Sequence, residues 1–131
     1  MVGLGGLGHM AVKLAALMGT EVTMLSTSKA KEADARRLGA SGFEITKDPK
    51  TFKKLARRFD LIIDTISAPH DYNEYLGMLR VQGAMVVVGV PPEPSPLAAD
   101  SLIFGNKRLA GSLIGGAAET REMLDYCGAH Y

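Results

Sequence analysis

Four glycines in the first eight residues, Gly3, Gly5, Gly6 and Gly8, stand in the run M-V-G-L-G-G-L-G-H-M and fit the spacing G-x-G-x-x-G. That spacing suits the holding of a pyrophosphate. Gly3 permits a tight turn after a strand, Gly5 lets the backbone approach the anion, and Gly8 lets the next helix pack on the strand. Free N–H groups and the helix dipole then face the negative charge. The spacing alone is a weak signal, but an amphipathic segment and a second strand follow within the ~30 residues of a βαβ unit. Only two residues precede Gly3, so the turn is expected to follow the tail of a first strand, cut from a larger protein.

A second constellation closes the next strand. Ser26-Thr27-Ser28-Lys29-Ala30-Lys31 stands where a binder of a ribose diol carries an Asp or Glu. Here the first acid is Glu32, inside the following helix. Three hydroxyls and a lysine suit a phosphate dianion better, with Lys31 giving a charge-assisted contact and the hydroxyls donating. Such bonds are worth roughly 1.5–3 kcal/mol each, enough to choose between two cofactors. The phosphate-bearing dinucleotide, NADP(H), is therefore the expected ligand. The alternative is that Ser28 caps the helix and Lys31 is a solvated surface residue.

Other chemistry-bearing side chains are more simply read as structural. His9 is expected to pack at a helix start, and His70 and Asp71 to lie in a loop near the cofactor cleft. Asp60, Asp64 and Asp100 read as turn and strand-end residues, and Cys127 as a small buried apolar residue. His9, His70 and His130 show no ligand spacing, and no C-x-x-C occurs, so a metal site within the chain is not expected.

The elements that position these residues alternate. Strands are expected at Glu21 to Leu25, Phe43 to Thr46, Asp60 to Thr65 and Ala84 to Val90, with a weaker sixth at Leu109 to Ile114. Those at 60–65 and 84–90 are nearly continuous apolar runs, as in a parallel sheet covered on both faces. Helices are expected at His9 to Met18, Ala30 to Leu38, Pro49 to Arg58, Asn73 to Leu79 and Ala118 to His130, the second stopped by Gly39. The first is apolar nearly all round, with Lys13 its only charge, so burial on two sides is expected. Together these imply an α/β fold with a doubly wound six-stranded parallel sheet, order 3-2-1-4-5-6, the NAD(P)-binding Rossmann arrangement.

The 131 residues suit one domain, 1–131, and a net charge of +1 points to neither nucleic acid nor an anionic membrane surface. One cysteine, no long apolar run and no secretory signal pattern make a cytoplasmic location the expectation.

The run G-L-G-G-L-G-H-M-A-V-K, then S-T-S-x-x-K and L-G-A, resembles the zinc-dependent medium-chain alcohol dehydrogenases, in their NADP-dependent cinnamyl alcohol dehydrogenase-like branch. D-T-I-S-A-P-H (64–70), V-G-V-P-P-E-P (88–94) and G-S-L-I-G-G-A-A-E-T-R-E-M-L-D-Y-C (111–127) continue the match over essentially the whole chain. The resemblance implies that Gly3, Gly5, Gly6, Leu7 and Gly8 cradle the pyrophosphate and that Ser26, Thr27, Ser28 and Lys31 take the 2′-phosphate. It places Thr65 near the ribose–nicotinamide end, and Gly89, Val90, Ser112, Leu113 and Ile114 around the nicotinamide. It also implies a separate catalytic domain carrying zinc, so zinc is expected in a parent enzyme only and no catalytic residue in this chain. The expected activity of the parent is hydride transfer between NADP(H) and an alcohol/aldehyde pair, with the isolated chain inactive and a homodimer formed through the sixth strand. A stand-alone, non-catalytic dinucleotide-binding or regulatory module is the competing reading.

Overall fold

The computed structural model describes residues 1–131. Its elements are α1 (Gly6–Leu17), β1 (Thr23–Ser26), a 3-10 turn (Lys29–Lys31), α2 (Glu32–Arg37), β2 (Gly42–Ile45), α3 (Lys50–Lys54) and β3 (Phe59–Asp64). Then come α4 (Tyr72–Leu76), β4 (Leu79–Val87), α5 (Asp100–Ile103), β5 (Arg108–Gly111) and α6 (Ala117–His130). Every strand pairing is parallel, β1 with β2, β3 with β4 and β4 with β5.

Val2 joins the two groups of strands, with parallel bridges to Leu25 of β1 and Asp64 of β3. Its N–H donates to the Ile63 carbonyl at 2.9 Å and its own carbonyl accepts from Thr65 N–H at 3.0 Å. The order across the molecule is therefore β2-β1-Val2-β3-β4-β5. Five strands and a bridge stand where six strands were expected. Gly3 ends that first place: its φ of +86° turns the chain out of extended geometry directly after Val2.

Burial follows the two-residue period of a strand. Met24 and Leu25 are neighbours pointing to opposite faces, and both are buried. Met24 joins Val12, Val22, Ala35 and Ala40, with α1 and α2 over that face. Leu25 joins Leu55, Ile62, Tyr75, Leu76 and Met85, with α3 and α4 over the other. Helices thus cover both faces of β1, which is why its two adjacent central residues, Met24 and Leu25, are both apolar.

Several boundaries depart from the sequence pattern. The helix expected at 30–38 divides into the 3-10 turn and α2, whose end is set by Gly39 at φ +111°. The helix expected from Pro49 to Arg58 stops at Lys54, because Arg57 takes φ 55° and donates its N–H to the Gly77 carbonyl instead. The fourth helix likewise stops at Leu76, Gly77 and Met78 form a turn, and Leu79, assigned to the helix end, begins β4. The strand expected over 84–90 ends at Val87, and the one expected over 109–114 ends at Gly111, leaving Ser112, Leu113 and Ile114 beyond it. The short helix α5 had no counterpart in the pattern. Of α1's apolar residues, Val12 is buried, while Leu7 and Met10 are exposed, as is Met18 at its C-cap; one of its two expected buried sides is open to solvent here.

Candidate functional site

The glycine turn sits where β1 and β3 end, on either side of Val2, at the point where the chain order of the sheet reverses. Gly8 is packed so closely that a Cβ there would lie 1.9 Å from the Gly3 carbonyl oxygen. At Gly5 and Gly6, by contrast, a Cβ would meet nothing within 4 Å. The turn is therefore tight on its protein side and open on the other. Gly5 is the N-cap of α1 with no side-chain cap, so the first-turn N–H groups point into that open space without intrahelical partners. Thr65 braces the turn from β3: its hydroxyl lies 2.8 Å from the Val2 carbonyl and 3.0 Å from that of Gly3.

On the β1 side, Ser26 is buried, and its hydroxyl accepts from Ser28 N–H at 3.2 Å, curling the backbone at the strand end. Ser28 makes no side-chain cap bond, so the capping alternative finds no support. Lys31 is exposed, as the surface alternative expects, but its Nζ donates to the Leu4 carbonyl at 3.1 Å, spanning from the 3-10 turn to the glycine turn. Between them opens a cleft of about 560 Å³ lined by Gly5, Gly6, His9, Lys13, Lys31, Asp34 and Arg37, among others. Arg37 and Asp34 pair at 2.9 Å, Lys13 Nζ lies 4.1 Å from the centre of the Tyr131 ring, and neither Lys13 nor Lys31 has an acidic partner. Sequence reasoning missed Lys13 and Arg37 and assigned His9 to packing, yet His9 is exposed on the cleft wall. The four-residue interval between His9 and Lys13, which puts both on one helix face, was the available signal.

On the β3–β4 side, the N–H groups of Val88 and Gly89 donate to the Asp64 carbonyl at 2.9 and 3.2 Å. A Cβ at Gly89 would fall 2.3 Å from the Ile66 carbonyl oxygen, so the ends of β3 and β4 close on each other only through glycine. Ser112 stays tied to β4 by an N–H bond to the Val87 carbonyl at 3.1 Å, but Leu113 and Ile114 are almost fully exposed. Val90 is exposed too. These four were expected to surround a ligand, and in this chain they form an open rim.

The open cradle, the bare helix start and the cationic cleft beside it fit a phosphate-bearing dinucleotide. The donor set does not fit a zinc ion. No three His, Cys, Asp or Glu side chains come together, and Cys127, half-buried rather than buried, has Met123 Sδ as its neighbour at 3.8 Å.

The sequence pattern of a family described as zinc-binding dehydrogenases matches residues 6–128. The chain belongs to that zinc-binding dehydrogenase family. An NADP-dependent alcohol dehydrogenase C of Mycolicibacterium smegmatis is 52% identical over 130 residues, covering 99% of this chain and 37% of its own length. A cinnamyl alcohol dehydrogenase from Sorghum bicolor superposes with a TM-score of 0.95 at 47% identity, over 98% of this chain and 37% of that one. The protein named CAD from Helicobacter pylori, solved in complex with NADP(H), gives 0.84 at 40% identity, over 95% and 35%. The chain therefore spans little more than a third of the dehydrogenases it matches.

Proposed function

We propose that residues 1–131 are the NADP(H)-binding Rossmann domain of an alcohol dehydrogenase or aldehyde reductase, with Val2 marking the first of six doubly wound strands. The observation that carries this reading is Lys31, held at the Leu4 carbonyl across the open side of the glycine turn. A dinucleotide laid on that turn would set its pyrophosphate against Gly5, Gly6, Leu7 and the start of α1. Its adenosine 2′-phosphate would meet Ser26, Thr27, Ser28 and Lys31, with Lys13 adding positive potential. Its nicotinamide half would run the other way, over Thr65, Gly89 and Val90 toward Ser112, Leu113 and Ile114. When bound, the nicotinamide ring gives or accepts the hydride; the chain's residues bind and orient it.

The names of the relatives support an alcohol/aldehyde pair as substrate. We assign zinc to residues of the whole enzyme other than these, and therefore propose that the isolated chain binds NADPH without reducing an aldehyde. A cytoplasmic location and a homodimer through β5 complete the proposal. The stand-alone module is the weaker reading, since the chain matches only about 37% of enzymes that extend further.

The test is a pair of titrations. Lys31→Glu should lower NADPH affinity at least tenfold, about 1.4 kcal/mol, while leaving NADH affinity unchanged or raised. An unaltered NADPH-to-NADH ratio would refute the assigned 2′-phosphate site.

A further inference from the structure

Behind the nicotinamide side of the turn lies a buried acid that the binding scheme above does not use. Asp64, the last residue of β3, is fully buried. One carboxylate oxygen accepts from Ile66 N–H at 3.0 Å, and the other contacts His70 Nε2. The other ring nitrogen, Nδ1, faces the Ala68 carbonyl at 2.7 Å. A carbonyl only accepts, so Nδ1 is the donor in that contact, and both ring nitrogens are engaged. The ring is wedged edge-on against Tyr72 and Tyr75, with centroids 5.1 and 5.8 Å away. A buried carboxyl group with a hydrogen-bond partner on each oxygen holds in place the backbone that supplies those partners.

That backbone is the 65–70 turn, and it touches three neighbours. Thr65 meets the Val2 and Gly3 carbonyls of the glycine turn. The Ile66 carbonyl is the surface that leaves no room for a Cβ at Gly89. The His70 carbonyl accepts from Ser95 Oγ at 3.1 Å, tying down the proline-rich loop that follows β4. Asn73 continues that anchorage, donating to the Pro96 carbonyl at 3.1 Å and accepting from Ala98 N–H at 2.9 Å. The Asp64–His70 contact thus spans a turn that touches the loops after Val2, β3 and β4.

We propose that Asp64 and His70 are a positioning pair for the nicotinamide half of the dinucleotide, holding Thr65, Ile66 and the Ser95 loop at the depth that half requires. The proposal rests on the dinucleotide reading. Neither residue touches the ligand; both act through the turn. The adenosine side, built from Ser26 to Lys31 on the far side of Val2, shares none of these contacts, so the pair should discriminate between the two halves.

The experiment compares NADPH with 2′,5′-ADP, which carries the adenosine 2′-phosphate but no nicotinamide. His70→Phe keeps a ring between the tyrosines and removes both donors. Its NADPH affinity should fall roughly tenfold, the loss of one or two aimed hydrogen bonds, with 2′,5′-ADP affinity held within about twofold. His70→Gln, which can still donate to Asp64, should recover part of the loss. Equal losses for both ligands, or no loss for either, would overturn the positioning role. Should His70→Phe leave Asp64 too badly unpaired to fold, the double variant Asp64→Asn, His70→Phe removes that charge, and the same ratio decides. Failure of the unaltered chain to bind either ligand would overturn the dinucleotide reading, and the pair's role with it. Tight binding of both with an unmoved ratio would overturn the pair's role alone.

Discussion

A methyl group placed on Gly5 would meet no atom of the protein, whereas one on Gly8 would strike the Gly3 carbonyl at 1.9 Å. The two glycines of one turn therefore serve different ends, and substitution separates them. Gly5→Ala, at a backbone φ of −105° that any residue adopts, should leave the melting temperature unchanged and abolish measurable NADPH binding. Gly8→Ala should lower stability by about 2 kcal/mol or more, because a backbone carbonyl cannot move aside as a side chain can. Equal effects of both on melting would refute the division. A second residue-scale effect concerns pH. Tyr75 is buried, and that burial, with smaller contributions from Asp64 and Glu74, holds its phenol above the usual tyrosine range against the opposing hydrogen bond with Thr46. Above pH ~10 an unfolded tyrosine releases its proton while the folded one retains it. The unfolded state then binds fewer protons, so stability falls as pH rises through that range. Tyr75→Phe should flatten the decline in an alkaline denaturation series.

At the scale of elements, α1 makes the sharpest demand. Its sequence is apolar on nearly every side, yet only Val12 among its large residues is fully buried, and Met18 at its C-cap is 64% exposed. Met18→Lys should cost no thermal stability, since it removes no packing and sets a cation at the negative end of the helix dipole. It should also reduce concentration-dependent association measured by light scattering. This helix shows how much the sequence disclosed. Periodicity located α1, and continuous apolar runs located β3 and β4, because those patterns are local. The bond from Lys31 to Leu4 spans 27 positions and that from Thr65 to Gly3 spans 62, so neither leaves a local trace. Helix α5, four residues long, is too short to show a period, and Asp64 is the strand end its sequence indicates, but its pairing with His70 was hidden because that partner lies beyond a turn. The termination of β5 at Gly111 was likewise hidden, since Leu113 and Ile114 are as strand-prone as the residues before them.

For the molecule as a whole, the unresolved tension is an open edge. β5 pairs with β4 alone, and exposed Ile103, Phe104, Leu113 and Ile114 flank it in sequence. A flat edge bordered by apolar side chains is a template for another strand. Under the proposed homodimer, that strand is the same element of a second copy. The geometry says which backbone groups are available. Ser112 N–H bonds to Val87 of β4, so by the two-residue alternation Ala110 N–H faces β4 as well, while Leu109 and Gly111 present theirs outward. Leu109 also packs against the core, so changing it would confuse pairing with stability. Gly111 carries no such burden. Gly111→Pro deletes one outward donor, leaves the β4 ladder intact and places a ring where an incoming strand would lie. Sedimentation velocity should show the unaltered chain as a dimer at micromolar concentration and Gly111→Pro as a monomer with unchanged helical content. A variant that still dimerises would move the interface away from β5, and the exposed face of α1 would then be the surface to alter next.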